Sequence, residues 1–204
     1  MSAIETASGR RRVFDDEHED FRQSVRRWLT NEVAPHFDDW ERDGIVPREV
    51  FAAAGANGFI ATQVPDEYGG AGVEDFRFNV VLSEECFRPN LGGFGVGITL
   101  HNDVCLPYFL EYCNEEQKQR WLPGIADGTL ITAIAMTEPG TGSDLAGIKT
   151  KAIRDGDHYV VNGAKTFITN GINADLVITA VKTDPTQKHK GMSLLIIERG
   201  TEGF

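Results

Sequence analysis

Ala133-Ile-Ala-Met-Thr-Glu-Pro-Gly-Thr-Gly-Ser-Asp144 is where the chain changes character. An apolar run halts at Thr137 and gives way to a turn built from Pro139, Gly140 and Gly142. Pro139 fixes one φ angle and removes one N–H, while the glycines permit positive φ and let the main chain approach a bound molecule. Before Leu130 the apolar residues recur at helical spacing; after it, short β-branched runs alternate with turn residues. The fold is therefore read as α+β: a helical domain over residues 13–129, then the first part of an antiparallel β domain over residues 130–204. Residues 1–12 read as a loose tail.

Working back from that stretch, Asn114 caps a helix with Trp121, Leu122 and Ile125 on its apolar face, stopped by Gly128. Residues 93–112 and 75–88 read as helices, and Pro47 opens another that ends near Gly58. Asp16 and Glu19 make a capping-box start for the first helix. Its face carries Phe21, Val25, Trp28, Leu29 and Val33, and Pro35 ends it. Working forward, residues 131–136, 147–154, 158–162, 166–169, 176–181 and 192–198 read as strands. Asp155-Gly156 marks a hairpin between the second and third.

Composition narrows the function. The 204 residues hold 31 Asp plus Glu against 20 Lys plus Arg, a formal charge of −11. A field of that sign repels phosphate backbones, so nucleic acid is excluded as a partner. No apolar run reaches the roughly 20 residues of a membrane helix. Arg10-Arg-Arg12 precedes an acidic stretch and not an apolar one, so no secretory signal is read. Three cysteines without a Cys-x-x-Cys indicate neither zinc nor a disulfide framework, and a reduced, cytoplasmic chain is expected. The five histidines form no metal-like pair, no metal is expected, and His101 reads as a hydrogen-bonded structural residue. Neither a Rossmann fingerprint nor a P-loop occurs.

The turn at Thr137 to Asp144 presents a hydroxyl and backbone N–H groups at the end of a strand. Such a turn donates to the electron-rich edge of a flavin or to phosphate oxygens, and it also serves as a plain strand connection. A second stretch, Lys165-Thr-Phe-Ile-Thr-Asn-Gly171, places Phe167 and Thr169 on one side of the strand expected there. A ring and a hydroxyl pointing one way suit a flat heteroaromatic cofactor. Either stretch alone is a weak signal; the two at this separation, with Asp155-Gly156 and Asn162-Gly163 between them, are specific.

Together they resemble the flavin-binding signatures of the acyl-CoA dehydrogenases. The resemblance runs from Phe14 to Phe204. Val64-Pro-Asp-Glu-Tyr-Gly-Gly70 resembles the family's Pro-x-x-x-Gly-Gly loop. Gly97-Ile-Thr-Leu-His-Asn102 is similar to the helix lining its acyl pocket, and residues 115–123 to the helix leading into its β domain. It implies FAD as cofactor, held by Ile134, Ala135, Met136, Thr137, Gly142, Ser143, Phe167, Ile168 and Thr169. Thr137 would meet the pyrimidine end of the ring, Thr169 would lie near N5, and Ser143 would sit between cofactor and substrate. His189 and Lys190, just before Gly191-Met-Ser, would touch the CoA portion. Phe167 in place of the Trp of many members resembles the long-chain branch.

The implied reaction is α,β-dehydrogenation of an acyl-CoA, of the fatty-acid β-oxidation type. Electrons would pass to an electron-transferring flavoprotein, and the intact enzyme would be a homodimer or homotetramer. No carboxylate here is marked as the catalytic base. The base and a C-terminal helical domain are expected beyond these residues, and the chain is read as a truncated form, inactive alone. An oxygen-using acyl-CoA oxidase, a nitroalkane-oxidase-like relative, and a non-catalytic half-length binding module are the alternatives.

Overall fold

The computed structural model describes residues 13–204; the tail expected over residues 1–12 lies outside them. Asp15 caps α1 (Asp16–Trp28), its backbone N–H donating to His18 Nδ1 at 3.1 Å. The box thus sits one residue earlier than Asp16 and Glu19 suggest. Nor does Pro35 end this helical path. A π-helical turn, Leu29–Val33, leads into α2 (Ala34–Asp43), with Pro35 in its first turn. A first-turn proline loses no helix hydrogen bond, and the wider turn ahead of it removes the clash with a preceding carbonyl. The same device splits the helix expected over residues 93–112. It is α5 (Gly92–Thr99), a π turn at Leu100–Cys105 and α6 (Leu106–Tyr112), with Pro107 opening α6.

The other helices follow their local signals. α3 (Arg48–Ala56) starts after Pro47, and α4 is Arg77–Phe87. Asn114 and Gln117 cap α7 (Glu115–Ala126) reciprocally at 2.9 and 3.0 Å, and Gly128 follows it at φ +75°. Trp28, Leu29, Phe51, Phe59, Phe94 and Ile98 anchor the main helical core. α1 is also pinned to α4 by charge: Arg26 Nε and Nη2 each reach a different oxygen of the buried Glu85 at 2.7 Å. That bidentate pair leaves no lone buried charge.

The second half is a five-stranded sheet: β1 (Thr132–Ala135), β2 (Lys151–Asp155), β3 (His158–Asn162), β4 (Leu176–Lys182) and β5 (Met192–Glu198). It is mixed and not wholly antiparallel. β4 is central, parallel to β1 (Ala133↔Val177) and antiparallel to β5 (Ile178↔Ile196). β2 meets the end of β4 in parallel at Lys151↔Lys182 and pairs with β3 as the expected hairpin. Hairpin signals are local, whereas a parallel pair needs a long crossover that no turn residue announces. Residues 166–169 form no strand, and residue 147 belongs to a short helical turn, Leu145–Gly147.

Side-chain alternation gives the sheet two jobs. Leu176 and Ile178 of β4 join Phe109, Trp121, Leu122 and Ile125, fusing sheet and helices into one core. Ala133, Ala135 and Val177 face the other way and meet Ala174 and Ile168. The junction is held by Asp175. Its Oδ2 accepts from Arg48 Nη2 at 2.7 Å and from the Ile131 backbone N–H at 2.8 Å.

Candidate functional site

β1 runs out at Ala135 and the chain reverses within a few residues. Glu138 N–H donates to Thr141 O at 2.9 Å and Thr141 N–H returns to Glu138 O at 3.1 Å, closing a tight turn around Pro139 and Gly140. The turn rests on the second stretch. Thr166 N–H donates to Thr137 O at 3.0 Å, and Lys165 Nζ donates to Met136 O at 2.9 Å. The two stretches singled out in the sequence therefore lie side by side.

Glu138 is the hub beneath them. Its Oε1 accepts from Thr150 Oγ1 (2.5 Å), Thr150 N–H (2.9 Å) and Lys165 Nζ (3.0 Å). Its Oε2 accepts from Lys149 N–H at 2.6 Å. Burial alone would favour the neutral acid. The donors outweigh it, Thr150 foremost, and hold the carboxyl down at about 2.

The second stretch is not a strand, so alternation does not orient its side chains. Phe167 has φ +55° and Asn170 φ +63°, both outside the extended region. Asn170 anchors the loop: its Nδ2 donates to Gly97 O at 2.9 Å and to Thr132 O at 3.2 Å. Gly97 answers to that contact, since a Cβ there would lie 2.8 Å from Asn170 Oδ1. Phe167 is held out from the surface, 93% exposed.

Between this loop, the outer face of the sheet and the β2–β3 hairpin lies a cleft of about 930 Å³. Its floor is Ala135, Val177, Thr179 and Leu195, with Lys165 and Phe167 at its side. A neighbouring cavity of about 330 Å³ opens between α2, α5 and the loop and is lined by Ile168, Thr169 and Gly97 among others.

The sequence-predicted residues divide accordingly. Ala135, Phe167 and Ile168 line the cleft, and Thr169 lines the cavity beside it. Met136 and Thr137 are half-buried, their carbonyls taken by Lys165 and Thr166. The Thr137 and Thr169 hydroxyls meet no partner among the described residues. Ile134 turns away, packing on the helical side of the sheet. Gly142 and Ser143 are exposed on the turn, outside the lining of the cleft. His189 and Lys190 are exposed in a turn, Pro185–Gly191, that contacts the Leu145–Gly147 turn and not the cleft. Among the described residues, the one His and carboxylate group close enough for a metal, Asp15, Glu17 and His18, lies at the start of α1, outside the lining of the cleft. His18 Nδ1 there already accepts a backbone N–H.

Glu138, Thr150, Lys165 and Asn170 were not read as functional from sequence. The available signal was one acid and one lysine, each inside a cofactor-like stretch.

Residues 15–129 match the model of the acyl-CoA dehydrogenase N-terminal domain, and residues 133–204 that of the middle domain. The chain is 40% identical over 201 residues to the mitochondrial long-chain specific acyl-CoA dehydrogenase of Sus scrofa, covering 98% of this chain and 46% of that one. The crystal structure of an acyl-CoA dehydrogenase from Geobacillus kaustophilus superposes with a TM-score of 0.90 at 52% identity, over 94% of this chain and 50% of that one. A glutaryl-CoA dehydrogenase from Mycobacterium smegmatis in complex with FADH2 superposes with a TM-score of 0.84 at 29% identity, over 95% and 48%. The chain spans about half the length of the relatives it matches.

Proposed function

Since the chain belongs to the acyl-CoA dehydrogenase family, we propose that the full-length protein is an FAD-dependent oxidoreductase converting acyl-CoA thioesters to trans-2-enoyl-CoA, in fatty-acid β-oxidation. One observation carries this reading: two stretches distant in sequence converge beside an open cleft, each offering a hydroxyl that meets no partner among the described residues. The cleft's volume falls within the usual range for cofactor pockets, and its apolar floor with polar sides suits a flat ring. The relative in complex with FADH2 supports the same cofactor. FAD, when bound, supplies the two-electron acceptor.

The chain's own residues orient and bind. Thr137 would donate to the pyrimidine edge of the ring and Thr169 to the edge bearing N5. Phe167, Ile168 and Ala135 would pack against it, with Met136 and Gly142 shaping the border. Ser143 would stand toward the acyl-CoA, and His189 and Lys190 toward its CoA portion. Removal of the α-proton needs a base of moderate strength. Glu138, held near 2 by its donors, is too weak for that role; in this reading the base comes from a part of the full-length protein outside these residues. An electron-transferring flavoprotein as acceptor, a homodimeric or homotetrameric assembly, and a cytoplasmic location complete the reading. Co-purification, sedimentation and cell fractionation address these in turn. No helix of the described structure is long and apolar enough to cross a membrane.

Anaerobic addition of acyl-CoA to the FAD-loaded full-length protein should bleach the flavin and yield enoyl-CoA. Unchanged absorbance with acyl-CoAs of several lengths would overturn the proposal. Rapid re-oxidation by air alone would favour the oxidase alternative.

A further inference from the structure

Glu138 and Lys165 take part in no step of that reaction, yet they pair at 3.0 Å with side chains only 7% and 11% exposed. We propose that this ion pair is a positioning device that locks the Thr137 turn, the approach to β2 and the Lys165–Thr169 loop into one body. In that body, the cofactor-facing donors hold a fixed separation before any cofactor arrives. The inference rests on the flavin reading of the cleft.

Three observations converge on it. First, Glu138, itself on the turn after β1, collects donors from two other parts of the chain. The Lys149 and Thr150 N–H groups and the Thr150 hydroxyl come from the approach to β2, and Lys165 comes from the loop. Second, Lys165 spends a further bond on Met136 O, which fixes the main chain immediately before Thr137. Its ammonium is thereby committed to the protein, although the residue lines the cleft. Third, the chain two residues before Lys165 lies directly on Thr150. A Cβ at Gly163 would fall 2.3 Å from Thr150 Oγ1 and 2.6 Å from Thr150 Cβ. Only a residue without a side chain lets the loop come that near, and Thr150 is the residue that delivers the short 2.5 Å bond to Glu138. A buried pair whose members are all satisfied specifies one arrangement; one partner removed leaves an uncompensated charge.

The test uses the full-length protein as Lys165→Met, Lys165→Arg, Glu138→Gln and the double variant Glu138→Gln/Lys165→Met. The readouts are FAD affinity by titration of apoprotein, hydrogen exchange of the peptide covering residues 137–144, and the absorption band shape of bound flavin. Lys165→Met should weaken FAD binding at least tenfold, speed exchange in that peptide and alter the band shape. Lys165→Arg should restore most of each. The double variant should be milder than Lys165→Met alone, because no lone carboxylate is left buried. FAD affinity and exchange in Lys165→Met equal to wild type would overturn the proposal, as would a double variant whose losses simply add. If Lys165→Met does not fold, Thr150→Val replaces it: at least threefold weaker FAD binding with faster exchange is expected, and no change in either is fatal. A wild-type protein that binds no FAD would instead sink the flavin reading, while hydrogen exchange in apoprotein would still report on the clamp.

Discussion

Thr169 carries a hydroxyl with no partner among the described residues, on a loop pinned by Asn170 to α5 and β1. If it donates where charge arrives on reduction, Thr169→Val should slow flavin reduction by an amount worth about 1–3 kcal/mol, with flavin content unchanged. Stopped-flow reduction by acyl-CoA measures it, and an unaltered rate removes Thr169 from the chemistry. His101 makes a prediction of another kind. Its ring is fully buried, with Nε2 3.1 Å from Ile125 O and Nδ1 2.9 Å from Thr132 Oγ1. These contacts fit a neutral ring with the proton on Nε2, the hydroxyl of Thr132 donating to Nδ1. Burial pushes its pKa down from 6.5 to about 4, against the opposing effect of the Ile125 carbonyl. The unfolded chain therefore binds the extra proton first. His101 contributes its full stability above pH 6.5 and loses it as pH falls toward 4. The change is on the order of 3 kcal/mol. Glu138 acts with the same sign in a lower window, from 4.5 down to about 2. Urea unfolding between about pH 7.5 and about pH 4 should show a decline that His101→Phe flattens. An equal slope in both proteins would clear His101 of that role.

At the scale of elements, Gly97→Ala tests how α5 carries the loop. The added methyl would press on Asn170 Oδ1, 2.8 Å away, and displace the amide from the Gly97 and Thr132 carbonyls. The loop should loosen while α5 itself gains helix propensity, by up to about 1 kcal/mol. Faster hydrogen exchange over residues 166–173, with that of α5 unchanged or slower, is the expected result. Elements set by local chemistry were legible: β3 and β5 match their expected bounds because hairpin turns and β-branched runs announce themselves within a few residues. The β1–β4 pairing was not, because Thr132 finds Leu176 across a crossover. The loop at Phe167 read as a strand because Phe, Ile and Thr favour one. Its positive φ angles accompany an anchor on Gly97 that exists only after folding. The helical path past Pro35 was hidden by the same kind of signal, a breaker made harmless by a π turn. At the site, the stretches around Thr137 and Phe167 stood out, whereas Glu138 and Lys165 become partners only when the sheet brings them together.

On the scale of the whole molecule, one face of the sheet is buried by helices and the other opens into the cleft. In the proposed reading, residues 1–204 supply donors for a flavin, and the base for the α-proton comes from elsewhere in the full-length protein. Given FAD and acyl-CoAs of several lengths, these residues by themselves should show no substrate-dependent bleaching, the loss of general-base assistance alone costing roughly 10²–10⁴-fold. Clear bleaching would place a base within these residues. The strand order also bears on how the protein is made. β1 emerges from the ribosome well before β4, its ladder partner, which begins at Leu176. At bacterial-to-eukaryotic translation speeds, the interval is roughly 2–10 seconds. Throughout it the nascent chain exposes an unpaired apolar strand beside finished helices, which makes this window the point in its life at which a chaperone has most to offer.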